Sequence, residues 1–350
     1  MPGSIDVMER AIALAASHCP HPNPRVGTVI VGPDGSTVGE GAHVAAGEPH
    51  AERIALAEAG ERALGATVYV TLEPCAHHGR TSPCADALIH AGVARVVAAV
   101  VDPDHRVAGE GFRRMRNAGI DVEVGLGADA VEAMDPGYFH HRRTGMPRVT
   151  VKAALTLDGQ MAGADRSSRW ITDPEMRRDV AALRGTMDAL VVGAGAVIED
   201  DPSLDPANSA AVRPTTYVVA GRRPIPPTSR LVRAGAHVIS PRYDPDGPAT
   251  ASPEATGDRV DLHAAFIEMA QSGALDIMVE GGPTLISGVV AAGLVARYVL
   301  YFGAKLGTGV GIPMFGGVFG RIEDAVEGEI QSVRQIGSGL RVDFQPQPRG

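Results

Sequence analysis

Thr67-Val68-Tyr69-Val70-Thr71-Leu72 runs into Glu73-Pro74-Cys75, and after eight intervening residues the chain reaches Ser82-Pro83-Cys84. The first six residues are largely β-branched and apolar, so they read as a buried strand that Glu73-Pro74 terminates. Ser82 suits a helix cap and Pro83 a first helical position, so a helix opens at Cys84. The positive end of that helix favours a thiolate. A strand passing through a loop into a helix, with a cysteine at each end of the loop, is a unit of an α/β sheet whose functional residues sit at the strand end.

Upstream stands His50-Ala51-Glu52. A catalytic zinc ion usually keeps three protein ligands and one open position, and His50, Cys75 and Cys84 supply such a set, one zinc per site. A water at the open position needs a proton acceptor that is not itself a ligand, which Glu52 offers. This order of residues is the signature of zinc-dependent deaminases. The competing reading makes both cysteines small buried hydrophobes and His50 a surface histidine; four residue types in the right order, each at an element end, weigh against it. Pro49 suits the first position of a helix over residues 49–60, which would set His50 and Glu52 in its first turn. Residues two apart on a helix diverge, so periodicity alone leaves their convergence unexplained.

Working outward, Thr28–Val31, Val68–Leu72, Val96–Val101 and Val122–Val124 read as strands, and residues 6–17, 84–91 and 109–118 as further helices. The polar run His140-His141-Arg142-Arg143-Thr144-Gly145-Met146-Pro147 reads as a boundary between a first domain, 1–145, and a second, 146–350. The second opens with the strand Arg148–Ala154. It holds two glycine-rich strand-to-helix turns, Val192-Gly193-Ala194-Gly195 and Glu280-Gly281-Gly282-Pro283-Thr284. Such turns aim backbone N–H groups at a phosphate, and they also serve as ordinary connections. The first is not a dinucleotide fingerprint, because Ile198 occupies the third glycine position. Residues 241–257 are rich in Pro, Asp, Ala and Thr and read as a surface loop.

At 350 residues two domains are expected. The formal net charge is -9, and Arg113-Arg114-Arg116 reads as a solvated helix face, so nucleic acid is not an expected partner. With three cysteines, two of them in the metal set, a disulfide framework is excluded. No apolar run reaches membrane-spanning length and the N-terminus lacks a basic-then-apolar leader, so a cytoplasmic protein acting on a small molecule, without a membrane, is expected.

The stretch Thr71-Leu72-Glu73-Pro74-Cys75-Ala76-His77-His78-Gly79-Arg80-Thr81 with Pro83-Cys84, together with Pro22-Asn23-Pro24-Arg25-Val26-Gly27 and Gly39-Glu40-Gly41-Ala42-His43, resembles the bifunctional deaminase-reductases of riboflavin biosynthesis. The resemblance implies that Asn23 and His43 line the deaminase pocket and that His77 and Arg80 meet a ribose phosphate, for which a guanidinium is suited. It implies a cytidine-deaminase-like N-terminal domain and a dihydrofolate-reductase-like C-terminal domain, both α/β/α layered. Lys152-Ala153-Ala154-Leu155-Thr156-Leu157-Asp158-Gly159, Ser168-Arg169-Trp170-Ile171-Thr172 and Asp200-Asp201-Pro202 look like that family's NADPH-dependent reductase. By similarity Ala154, Trp170, Ala196, Asp200 and the run Gly282, Pro283, Thr284, Leu285, Ile286, Ser287 and Gly288 contact NADPH, while Ser168, Arg184, Leu204 and Glu280 contact substrate. A homo-oligomer is implied by resemblance alone.

The implied chemistry is zinc-dependent hydrolytic deamination of 2,5-diamino-6-(5-phosphoribosylamino)pyrimidin-4-one, followed by NADPH-dependent reduction of its ribosyl to a ribityl side chain. The chain departs from the family at Ala196, where a threonine is usual, and at Ala207, where an arginine is usual. Those departures leave open a deaminase whose second domain binds nucleotide without reducing. Two further readings compete with it: a deaminase of nucleotides or tRNA, and a zinc-stabilised binding module without activity.

Overall fold

The structure is a computed structural model and describes residues 3–76, 83–207, 214–219, 224–240, 260–316 and 320–347. It divides into two compact units, Met1–Gly145 and Met146–Gly350.

The first unit runs α1 (Ser4–Ala16), β1 (Gly27–Val31), β2 (Thr37–Ala42), α2 (Ala51–Ala59), β3 (Thr67–Leu72), α3 (Cys84–His90), β4 (Arg95–Val100), α4 (Glu110–Asn117), β5 (Asp121–Val124), α5 (Ala128–Met134) and α6 (Pro136–Thr144). Its sheet has the order β2-β1-β3-β4-β5. The β1–β2 and β1–β3 pairs are antiparallel, and β3–β4 and β4–β5 are parallel. The core is built from small residues. Ala51, Ala55 and Ala59 make the buried stripe of α2, four residues apart, and Gly39 and Gly41 of β2 receive it. A Cβ on Gly39 or Gly41 would lie 2.2 Å from the carbonyl oxygen of Ala55 or Ala51 respectively, so helix backbone rests directly on strand backbone.

The structure corrects one expectation and sharpens another. The helix expected from residue 49 begins at Ala51, with His50 as its extended N-cap (φ -69°, ψ 156°), because Pro49 lies outside the helix rather than at its first position. The polar run His140–Thr144 is the last part of α6, which Pro136 opens and left-handed Gly145 closes; its polarity is that of a helix end, and only Gly145 and the residues after it are connection.

The second unit runs β6 (Arg148–Leu155), β7 (Gln160–Ala162), α7 (Pro174–Arg184), β8 (Ala189–Gly193), α8 (Ala194–Asp200), β9 (Thr215–Val219), α9 (Arg230–Arg233), β10 (His237–Ile239), α10 (Leu262–Gln271), β11 (Asp276–Val279), α11 (Pro283–Ala291), β12 (Val295–Phe302), β13 (Ile312–Pro313), β14 (Gly328–Ile336) and β15 (Gly339–Pro346). The main sheet has the order β10-β9-β8-β11-β6-β12-β15-β14, parallel through β12 and antiparallel at β15 and β14. Side chains alternate across it. Val149, Val151, Ala153 and Leu155 of β6 face a cluster with Phe266 and Ile286, whereas Leu190, Val192, Met278 and Tyr301 face one with Met176, Val180 and Leu183 of α7. Both faces of the parallel part are thus covered by helices, as buried parallel strands require.

Candidate functional sites

The N-cap geometry of His50 resolves the convergence of His50 and Glu52. His50 is extended and Glu52 is the second residue of α2, so the two side chains are not constrained to diverge as on one regular helix. Cys75 follows the end of β3 and Cys84 opens α3. The Nδ1 of His50 lies 3.7 Å from the Sγ of Cys75 and 3.3 Å from the Sγ of Cys84, and the three ligand atoms all fall within 4.8 Å of one another. Zn–S and Zn–N bonds of about 2.3 and 2.1 Å give tetrahedral edges of roughly 3.5 Å between sulfur and nitrogen, which these separations bracket. One imidazole, two thiols and a fourth direction free of protein ligand among the described residues fit a zinc ion that keeps an open position.

The charges agree. The thiol of Cys84 and the imidazole of His50 hold the Cys75 sulfur well below the usual thiol range, and the backbone N–H of Cys84 donates to it at 3.3 Å. The thiolate in turn raises His50. Cys84 is pushed up by its hydrogen bond to Cys75 and by burial. A thiolate beside an imidazole and a second thiol is the donor set that a divalent cation replaces protons to bind.

Glu52 is 3% exposed and hydrogen-bonded with Cys84; burial, then the Cys75 charge, raises its pKa. His43 is buried as well. Its Nδ1–H donates to the carbonyl of Pro49 at 3.1 Å, and its Nε2 accepts from Nδ2 of Asn23 at 3.0 Å. Burial lowers its pKa, in keeping with this neutral tautomer. The His43 and His50 rings meet edge-on, with centroids 5.4 Å apart, so Asn23 and His43 adjoin the ligand set through His50. His77 and Arg80 lie outside the described residues.

In the second unit the structure brings Glu280 and Arg184 into direct contact. Glu280, just past β11, has a side chain only 5% exposed; it accepts from Arg184 at 2.6 and 2.9 Å and from Lys152 of β6 at 3.0 Å. Burial opposes its ionisation, but the two cations outweigh burial and hold it at about 2. Arg184 also donates to the carbonyl of Asp205 at 3.2 Å, which places it beside Leu204, a buried residue in the left-handed region at φ 53°. Helix α7 presents Arg184 at its C-terminal end and is anchored upstream: Asp173 caps it and accepts from Ser338, and Asp179 accepts from Tyr301 at 2.5 Å and Arg341 at 2.8 Å. Lys152 is the member of this cluster that sequence reasoning leaves without a role. It stands 128 positions from Glu280, and no local signal reports such a pairing.

Ser168 and Trp170 line a cleft of about 350 Å³ with Thr156, Arg169 and Lys305. Trp170 is 57% exposed with the Arg177 guanidinium 4.4 Å from its ring, and Arg169 donates to the carbonyl of Asp200 at 2.6 Å. Ala154 is in β6, and Ala196 is in the first turn of α8. The two glycine-rich turns end adjacent parallel strands, β8 and β11. A Cβ on Gly193 would stand 3.6 Å from that of Leu285, so the turns touch. Gly193 and Gly282 are the N-caps of α8 and α11, and neither helix start has a side-chain cap. Their leading N–H groups have no helical acceptor and suit the phosphates of a nucleotide. Gly282 through Gly288 supply this turn and the first two turns of α11.

Comparison with known proteins matches each of the two units to a family. Residues 3–116 match the cytidine and deoxycytidylate deaminase zinc-binding region, and residues 147–342 match the RibD C-terminal domain. The chain is 42% identical over 321 residues to the riboflavin biosynthesis protein RibD of Escherichia coli, covering 85% of this chain and 87% of that one. Among solved structures, RibD of Acinetobacter baumannii superposes with a TM-score of 0.85 at 34% identity, over 98% of each chain. A diaminohydroxyphosphoribosylaminopyrimidine deaminase/5-amino-6-(5-phosphoribosylamino)uracil reductase of Thermotoga maritima does so at 0.83 and 30% identity, again over 98% of each.

Proposed function

Because the chain belongs to the RibD family of bifunctional riboflavin-biosynthesis enzymes, a zinc-dependent deaminase joined to a NADPH-dependent reductase, we infer that the two side-chain clusters are its two active sites, in domains 1–145 and 146–350. A deaminase with a degenerate second domain is not favoured, since the relatives match across the whole chain.

In the first domain we assign His50, Cys75 and Cys84 as zinc ligands. Bound zinc supplies a water made acidic enough to react at neutral pH. Glu52 would accept a proton from the attacking water and deliver one to the amine; the water oxygen bonds to the ring carbon as its C–N bond breaks, the other water proton ends on the adjacent ring nitrogen, and ammonia leaves 2,5-diamino-6-(5-phosphoribosylamino)pyrimidin-4-one. Asn23 and His43 hold the pyrimidine; with Nδ1 of His43 on the Pro49 carbonyl and Nε2 on Asn23, the two side chains are locked to each other and meet it as one unit. The assignment of His77 and Arg80 to the phosphate rests on the resemblance. The single observation carrying this half is a buried carboxylate against three convergent ligands yet outside their set.

In the second domain Glu280, Arg184, Ser168 and Leu204 hold the deaminated product. NADPH supplies the hydride that converts ribosyl to ribityl. Trp170, Asp200, Ala154, Ala196 and the turn Gly282–Gly288 bind and orient it, supported by the two uncapped helix starts side by side.

The edge strand β14 exposes Ile330 at 61% and Val333 at 57%, which supports a homo-oligomer through that edge. Three free cysteines, two of them proposed ligands, suit the reducing cytoplasm.

The test is to incubate purified protein with the phosphorylated diaminopyrimidine, with and without NADPH, following ammonia, NADPH absorbance and product mass. Both activities are expected. Ammonia release without NADPH consumption would overturn the reductase assignment and point to Ala196 and Ala207; neither activity, from zinc-loaded protein, would overturn the substrate.

A further inference from the structure

Glu73 directly follows β3, two residues before Cys75, and it is 5% exposed. Its Oε2 accepts from the backbone N–H of Asp102 at 3.0 Å and of Gly109 at 2.9 Å. Its Oε1 accepts from Gly111 at 2.8 Å and Phe112 at 3.3 Å. All four donors come from the segment between β4 and the first turn of α4, and its own N–H donates to Val100 at 2.9 Å. The segment also presses on the chain leading to Cys75: a Cβ on Gly111 would lie 2.1 Å from the carbonyl oxygen of Pro74. A small cleft runs between the two, with Pro74, Cys75 and Ala76 on one wall and Asp102 and Val107 on the other.

We propose that Glu73 is the positioning residue of the metal centre: its carboxylate locks the 102–112 segment to the end of β3 and thereby fixes both the Cys75 ligand and the wall facing it. The proposal rests on the zinc reading of His50, Cys75 and Cys84. A carboxylate is required because every partner is an N–H donor and both oxygens accept. A glutamine would turn an NH₂ toward two of those donors. The buried carboxylate thus does for the backbone around a cysteine ligand what outer partners do for ligating histidines, where loss of the partner weakens metal binding by about 10- to 100-fold.

The test uses the full chain and measures zinc dissociation into a chromogenic chelator, alongside ammonia release and NADPH oxidation with the deaminated intermediate. In Glu73→Gln, zinc affinity is expected to fall by about 10- to 100-fold, with ammonia release restored by excess zinc and NADPH oxidation unchanged. Gly111→Ala leaves Glu73 intact but pushes on Pro74, and it should weaken zinc in the same way; it decides the matter if Glu73→Gln does not fold. Wild-type zinc affinity in both variants, even with a lowered melting temperature, would overturn the positioning role alone. A wild-type protein that takes up no zinc would overturn the metal centre and this role together.

Discussion

Glu52 and Glu280 are both buried carboxylates, and their surroundings set them to opposite tasks. Glu52 has sulfur and imidazole beside it and a raised pKa; Glu280 is clamped between two cations and held at about 2. Replacing Glu52 by Gln keeps the shape and removes the proton carrier, so deamination should fall by about 10²- to 10⁴-fold, with zinc content by metal analysis and NADPH oxidation unchanged. Retained deamination would remove Glu52 from the chemistry. For Glu280 the folded pKa lies below the ordinary 4.5, so its contribution to stability is present above that value and is lost as pH falls toward 2. Glu280→Gln leaves Arg184 and Lys152 buried without their anion and should destabilise the second unit at neutral pH by about 3 kcal/mol, the gap from wild type closing as pH falls below 4.5. Denaturant midpoints measured across pH would show it; a gap constant with pH would mean that the charge of Glu280 contributes nothing. Glu52 was legible in the sequence by its place beside His50, and Glu280 by the resemblance alone. Their partners were not: Lys152 lies 128 positions from Glu280, and Glu73 meets donors 29 to 39 positions downstream, distances over which no periodicity carries information.

At the scale of elements, strands with unbroken apolar runs were readable and β2 was not. Its sequence, Thr37-Val38-Gly39-Glu40-Gly41-Ala42, has the glycines that disfavour a strand on local grounds. Those glycines are there for α2, whose backbone they admit within contact distance. The same physics sets the ligand helix in place, because the Ala51 carbonyl that Gly41 receives belongs to the first residue after His50. Gly41→Ala should therefore push the start of α2 off the sheet, costing about 1 to 3 kcal/mol in stability by overpacking and weakening zinc binding. Gly60→Ala provides the control at the other end of α2: no atom lies within 4 Å of its added Cβ, and any cost there comes from its positive φ of 55°. Melting temperature and zinc titration on both variants would separate displacement of the ligand helix from a general loss of stability; unaltered zinc affinity in Gly41→Ala would refute the link. The start of α2 was misplaced by two residues for a related reason. Proline at a first helical position is a good rule, yet here Pro49 stands outside the helix and leaves His50 extended, the conformation in which it meets Cys75 and Cys84.

Across the whole molecule, the two clusters draw on separate stretches of chain. His50, Glu52, Cys75 and Cys84 belong to the first compact unit, and Lys152, Arg184 and Glu280 to the second. No residue is assigned to both. The two reactions therefore have different chemical requirements within one polypeptide: a resident metal for the first, a dissociable nucleotide for the second. Removing zinc with a chelator should abolish ammonia release from the diaminopyrimidine while leaving NADPH oxidation intact when the deaminated compound is supplied, and adding zinc back should restore the coupled reaction. Since NADPH oxidation from the diaminopyrimidine depends on prior deamination, that activity should disappear with the metal and return with it. If chelation instead stops NADPH oxidation with the deaminated compound as well, the reductase cannot rest on the Lys152, Glu280 and Arg184 cluster alone, and a contribution of the metal-bearing unit to the second reaction would have to replace the independent-site reading.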